Sequence, residues 1–80
     1  MTIQNLPDGY RATVKINGKN FVADLRAPGE LKIPELIICR SKCGRVSKYD
    51  RGNPAYTAYP EAVNLETLKK HLFLFAMTKP

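Results

Sequence analysis

The dipeptide Asn17-Gly18 lies between two stretches in which apolar and polar residues alternate, and it constrains the fold more than any other feature. A two-residue type I′ turn requires a positive φ at both central positions, which Asn and Gly tolerate best. The dipeptide therefore predicts a β-hairpin over residues 10–26. It also sets the register, because Ile16 then faces Lys19 and every further cross-strand pair follows.

In this register one face of the hairpin is almost wholly apolar. Its pairs, besides Ile16 with Lys19, are Val14 with Phe21, Ala12 with Ala23, and Tyr10 with Leu25. The other face is polar, and a cross-strand ion pair between Arg11 and Asp24 is expected on it. The side chains of this face that could contact a ligand are Arg11, Thr13, Lys15, Asn20 and Arg26. Strands that face the core on one side and solvent on the other show this alternation.

The rest of the sheet is predicted from shorter signals. The apolar run Leu36-Ile37-Ile38-Cys39 is typical of a strand that is central or buried on both faces. Residues 45–49 are expected to return as a weaker strand, and residues 2–6 form either an edge strand or an irregular lead-in. Residues 50–61 contain two prolines and predict a loop. The sequence thus predicts three to four antiparallel strands, the hairpin and one or two strands within residues 36–49.

A C-terminal helix is predicted over about residues 64–77. Asn64 is a suitable N-cap, and Glu66 in the first turn suits the helix dipole. The apolar residues recur at helical spacing and should pack on the sheet; they are Leu65, Leu68, Leu72 and Phe75. The predicted fold class is therefore α+β, with a small antiparallel sheet covered on one face by this helix.

Three further apolar residues, Phe73, Leu74 and Met77, fall on the opposite side of the same helix. A surface helix should not be apolar nearly all round. Either this end is sandwiched between other elements, or it forms a protein interface. A third alternative is that residues 71–77 form a strand, because short apolar runs are ambiguous.

The 80 residues, 44% of them hydrophobic, predict a single small globular domain over residues 1–80. Thirteen basic residues against seven acidic ones give a net charge of +6, which favours acidic partners, although solubility alone would account for it. Residues 1–7 show no secretory signal, and no apolar stretch approaches the roughly 20 residues that span a bilayer. We therefore expect a cytoplasmic protein without a membrane partner.

Five of the cations fall within twelve residues, and Asp50 is the only acid among them. These cations are Arg40, Lys42, Arg45, Lys48 and Arg51. Such an array suits a nucleic-acid backbone, because each neutralised phosphate releases counterions. Tyr49, Tyr56 and Tyr59 lie close by and could stack on bases. The same charges are also a common protection of sheet edges against aggregation.

The sequence does not predict catalysis, a metal or a cofactor. Cys39, Cys43 and His71 supply three ligands at most, whereas a structural zinc site takes four. Cys43 stands between Lys42 and Arg45, which could lower its thiol pKa, but no second residue is placed to act with it. The chain also lacks a glycine-rich phosphate loop. A non-enzymatic binding protein is the expectation.

The segment GYRATVKINGK and the amphipathic strand after it, residues 9–25, resemble the opening of AP2-like DNA-binding domains and of the arm-binding domains of tyrosine recombinases. The resemblance implies a three-stranded sheet that enters the DNA major groove and is backed by a C-terminal helix. It covers under a quarter of the chain. The chain departs from those domains in its proline- and tyrosine-containing segment at residues 50–61 and in its doubly apolar helix.

Together these features predict a small basic nucleic-acid-binding protein, for DNA rather than RNA, that contacts phosphates through a basic hairpin. The expected contact residues are the five clustered cations with Tyr49, Tyr56, Arg11 and Lys15. The alternative is a protein-interaction module, such as a phage or mobile-element inhibitor or adaptor. Its partner would be an acidic host protein, or a second copy of the chain bound through the C-terminal helix.

Overall fold

The antiparallel sheet contains five strands, which lie side by side in the order of the sequence. The computed structural model describes residues 1–42 and 44–78. In sequence order the strands are β1 (Thr2–Leu6), β2 (Gly9–Ile16), β3 (Lys19–Arg26), β4 (Glu35–Arg40) and β5 (Tyr56–Ala58). The α+β class is confirmed, and the prediction of three to four strands was wrong.

The hairpin of β2 and β3 has the turn and register that Asn17-Gly18 predicts. Asn17 has a φ of 51° and Gly18 a φ of 78°, both in the left-handed region that a type I′ turn requires. Every predicted cross-strand pair is present, from Ile16 opposite Lys19 to Tyr10 opposite Leu25. Local turn chemistry and the alternation of side chains therefore agree, and each supports the other.

Two segments differ from the prediction for local reasons. Residues 45–49 do not form a strand: the chain reverses between Lys42 and Arg45, whose backbone N–H and C=O groups bond each other at 2.9 and 3.1 Å. A short helix, α1 (Lys48–Gly52), follows. It begins there because the Ser47 hydroxyl accepts a hydrogen bond from the Asp50 N–H at 3.1 Å, which is N-cap geometry.

The fifth strand lies inside the segment that was predicted as a loop. β5 pairs with Leu36, Ile37 and Ile38 of β4, which would otherwise be the edge of the sheet. Pro54 and Pro60 flank β5 and keep it short, since proline cannot donate to a strand ladder. β4 is thus a central strand, as its apolar run indicates.

The helix α2 (Leu65–Thr78) packs on the apolar face of the sheet. It begins as expected, with the Asn64 side chain accepting a hydrogen bond from the Thr67 N–H at 2.8 Å. Residues 71–77 are helical, so the alternative of a strand there was wrong. The buried cluster beneath the helix consists of Ala12, Phe21, Ala23, Leu25, Leu36, Ile38, Leu68, Leu72 and Phe75.

The opposite side of the sheet, which we call the outer face, is only partly covered. The segment that contains α1 crosses it, so that Val46 and Arg51 lie near Ile37 and Cys39. The remainder of this face carries the polar side chains of the hairpin. No helix in the described part of the chain is long and apolar enough to cross a membrane.

Candidate functional site

The five clustered cations do not lie on one flat surface, because the chain turns sharply between them. Arg40 ends β4 on the helix side of the sheet, with its guanidinium carbon 5.6 Å from the centroid of the Phe21 ring. Arg51 lies on the outer face, with Nη1 3.9 Å from Oδ2 of Asp24. Lys42 and Arg45 flank the chain reversal between these two positions.

The outer face of the hairpin is largely neutralised by two bidentate ion pairs. Arg11 donates to both carboxylate oxygens of Asp24 at 2.7 and 3.1 Å, which confirms the predicted pair. Arg26 donates to both oxygens of Asp8 at 2.9 and 3.1 Å. The Asp24 carboxylate raises the pKa of Arg11, and the Arg26 guanidinium lowers the pKa of Asp8. Neither arginine is left with a free charge to offer a ligand.

Among the described residues, six of the nine Lys and Arg side chains without a salt-bridge partner lie at one end of the sheet, where β2 ends, β3 begins and β4 ends. Lys15 is opposite Asn20, and Asn20 accepts a backbone hydrogen bond from Ser41 at 2.9 Å. Phe21 is opposite Arg40. We call this region the basic end and define it by Lys15, Lys19, Arg40, Lys42, Arg45 and Lys48. Within residues 1–42 and 44–78, none of these six has a salt-bridge partner.

Most acidic residues lie away from the basic end, and Asp50 is the exception. The other end of the sheet holds Asp8, just before β2, and Glu35 at the start of β4. Asp50 lies in the first turn of α1, lines a cavity with Lys42 and Arg45, and accepts a hydrogen bond from the Ser47 hydroxyl at 2.8 Å. The basic end thus carries six cations against one neighbouring acid, an excess of positive charge that attracts anionic partners.

The three tyrosines expected to stack on bases differ in how far their side chains are exposed to solvent. Tyr49, on α1, is 76% exposed, and Tyr59 is 70% exposed. Tyr56 is half-buried: its hydroxyl lies 2.9 Å from Nδ1 of His71, and its ring packs against Phe75. Tyr56 therefore joins β5 to α2 and is less available than Tyr49 or Tyr59, and its role in stacking on bases stays a prediction.

A cleft of about 300 Å³ lies on the outer face beside α1. Val22, Ile37 and Cys39 form an apolar floor, and Arg51 stands at its wall. Burial raises the pKa of the Cys39 thiol, which favours the protonated and unreactive form at neutral pH. Cys43 lies outside the described residues, and these residues bring together no group of three metal-ligating side chains.

The second predicted surface is on α2. Phe73 and Met77 are 66% and 68% exposed, and Leu74 is 41% exposed. We call these three residues the α2 apolar face. It lies on the side of the helix opposite the buried Leu72 and Phe75.

Lys19 was not among the contact residues predicted from the sequence. The sequence also did not predict which cations lie together at one end of the sheet. The hairpin register was derivable and places Lys19 beside the turn. The pairing of β3 with β4, which brings Arg40 to Phe21, was not derivable. The signal that could have found the site was the pair Lys15 and Lys19, which flank the Asn17-Gly18 turn as lysines without an adjacent acid.

No family model, no curated protein and no solved structure matches this chain. The resemblance of residues 9–25 to AP2-like and arm-binding domains gains no support from these comparisons. The fold also departs from it, because the sheet has five strands and the hairpin's polar face is neutralised by Asp24 and Asp8. The site must therefore be interpreted from its own geometry.

Proposed function

We propose that this protein binds the phosphate backbone of nucleic acid, duplex DNA in the first place, through the basic end of its sheet. The observation that carries the proposal is the segregation of charge. Arg11 and Arg26 on the outer face are held in bidentate ion pairs, whereas six cations at the basic end have no salt-bridge partner among the described residues. A polyanion binds such a group of cations tightly, because each neutralised phosphate releases counterions.

The composition of the basic end favours backbone contact over base readout. Four of its six members are lysines, which act as flexible point charges, whereas the two arginines offer forks for phosphate. Tyr49 stands on α1 next to Lys48 and is exposed enough to stack on a base or sugar. Binding of this kind depends weakly on sequence and strongly on salt.

An acidic protein surface is the second candidate partner, since it would be attracted by the same charges. The two candidates differ in salt dependence. Six phosphate contacts would give a slope of log K against log salt of about −5 on duplex DNA. A protein partner does not release condensed counterions, so its slope should be shallower.

The test measures binding of labelled duplex DNA, single-stranded DNA and RNA of one sequence by fluorescence anisotropy, between about 50 and 200 mM salt. The variant Lys42→Gln/Arg45→Gln/Lys48→Gln removes three exposed charges of the basic end. We expect its affinity for duplex DNA to fall about 100-fold at low salt and its salt slope to shrink by about 3.

The matched control is Leu31→Glu/Lys32→Glu, which lowers the net charge by the same three units at exposed positions outside the basic end and outside α2. It should retain affinity within a few-fold of the wild type, because only the long-range attraction changes. Equal losses in both variants would show that net charge alone drives binding. No measurable binding by the wild type at low salt would also reject the proposal.

A further inference from the structure

The C-terminal half of α2 is apolar on two opposite sides. Leu72 and Phe75 are buried against the sheet, at 6% and 1% exposure. Phe73 and Met77 point away from it and are mostly exposed. The two are four residues apart, so they are neighbours on one face of the helix. A helix with two apolar sides is expected to bury both.

We propose that the α2 apolar face packs against the same face of a second copy of the chain, with the two helices antiparallel about a twofold axis. A twofold interface is self-complementary, so one patch supplies both halves. With the axis between positions 73 and 74, Phe73 of one copy meets Leu74 of the other. Met77 then meets Lys70 of the other copy, whose methylene chain can cover it.

The charges of α2 favour a second copy as the occupant. The last turn of α2 contains no basic residue, so its terminal carbonyl groups keep their partial negative charge uncompensated by a side chain of that turn. In the antiparallel pair, Lys69 and Lys70 of the second copy approach this end. Each helix thus brings two cations to the last turn of the other, which an unrelated partner would have to match independently.

The size of the α2 apolar face limits the expected affinity of the dimer. The α2 apolar face spans about one and a half turns of one helix. Such a short stretch buries less than the roughly 800 Å² per partner of a standard interface. Each copy also carries a net charge of +6, and this repulsion opposes pairing. We therefore expect a dimer with a dissociation constant in the micromolar range that tightens as salt screens the repulsion.

The test is sedimentation equilibrium of the wild-type chain over a concentration series at low and high salt. The expected result is a mass that rises from one chain to two, at lower protein concentration when the salt is higher. A monomeric mass throughout the series would overturn the proposal, and so would a dimer that loosens with salt.

Two double variants locate the interface. Phe73→Gln/Met77→Gln replaces the exposed apolar pair with good helix formers, and its dissociation constant should rise about tenfold or more. Leu31→Gln/Ile33→Gln is the matched control, because these residues are 83% and 55% exposed but lie outside α2. The control should dimerise like the wild type, and equal weakening of both would overturn the proposal.

If Phe73→Gln/Met77→Gln loses helicity in circular dichroism, a charge variant tests the same interface without changing its apolar residues. Lys70→Glu leaves every apolar residue in place but brings a negative charge to the C-terminal end of the other helix. It should weaken the dimer several-fold, whereas Lys32→Glu should not. An unchanged dimer with Lys70→Glu would contradict the antiparallel arrangement. None of these variants alters the basic end, so failure here leaves the proposed function standing.

Discussion

The two bidentate ion pairs fix the charge of the outer face. Arg11 and Asp24 are the more sheltered pair, with side chains 33% and 15% exposed, and Arg26 and Asp8 lie closer to solvent. In each pair the planar guanidinium matches both carboxylate oxygens, which holds the charges in one geometry. At the residue scale, the two ion pairs determine which cations remain available to a ligand.

The Asp8–Arg26 pair should make stability depend on pH. Because Arg26 lowers the pKa of Asp8 below its ordinary 3.8, the contribution is present above that pH and is lost as pH falls through the folded-state pKa. We expect Asp8→Asn to unfold at a lower urea concentration than the wild type at neutral pH. The two curves should converge below about pH 3.8.

Glu30→Gln is the control for this experiment. Glu30 lies in the exposed segment after β3 and has no salt-bridge partner among the described residues. Its replacement should shift the urea midpoint little, and without the same convergence at low pH. If Asp8→Asn and the wild type had equal midpoints at neutral pH, the ion pair would contribute nothing to stability.

One of these two pairs could be predicted, and one could not. Arg11 and Asp24 face each other across the hairpin, so the register set by the turn was sufficient. Asp8 precedes β2, and it reaches Arg26 because the Ala27 N–H donates to the Asp8 carbonyl at 3.1 Å. That contact closes the far end of the hairpin, where no turn signal specifies the partner.

At the scale of the elements, β2 and β3 approach each other closely at Gly9, which alone among the five glycines would bring an added Cβ within 4 Å of other atoms. Gly9 is its first residue and pairs with Leu6 on one side and Arg26 on the other. A Cβ placed on Gly9 would lie well inside van der Waals contact of the Leu25 carbonyl oxygen, which is backbone and cannot rotate away. Gly9 therefore permits the close approach of β2 and β3.

Gly9→Ala should lower the free energy of unfolding by about 3 kcal/mol, because the strands must separate to make room. The measurement is chemical denaturation followed by circular dichroism. Gly52→Ala is the matched control: nothing lies within 4 Å of its added Cβ, and the change should stay within about 0.5 kcal/mol. Equal stabilities of the two variants would show that the sheet absorbs the methyl group without cost.

Elements that carry a turn motif, a helix cap or a clear apolar periodicity were predicted from the sequence. Elements that form only because they pair with another strand were not. The hairpin contains its own turn dipeptide and alternation, and α2 contains its own N-cap and helical periodicity. β5 has only three residues and exists because β4 offers it an unpaired edge. In α1, the Ser47 and Asp50 capping pair was overlooked in favour of a strand around Val46.

On the scale of the whole molecule, the buried side of α2 packs on the strand residues that adjoin the basic end. Phe75 packs edge-on against Phe21, with ring centroids 5.0 Å apart, and Phe21 is opposite Arg40 at the basic end. A dimer through α2 would therefore carry two basic ends. Two linked contacts bind one polyanion more tightly than either does alone.

The two proposals together predict cooperative binding. On a duplex long enough for two chains, the wild type should bind with positive cooperativity. Phe73→Gln/Met77→Gln should bind with the same salt slope but without cooperativity, because its basic end is intact. Anisotropy titrations on a long and a short duplex measure both quantities. A changed slope in this variant would show that α2 itself contacts the DNA.

The sequence by itself determined the hairpin, its register, the helix α2 and the presence of two apolar sides on that helix. These follow from φ preferences, caps and periodicity, which act between residues close in the chain. Three features depend on the tertiary structure: the presence of a fifth strand, the Asp8–Arg26 ion pair and the grouping of free cations at the basic end. Those depend on which strands pair across intervening segments, and side-chain patterns alone do not encode that choice.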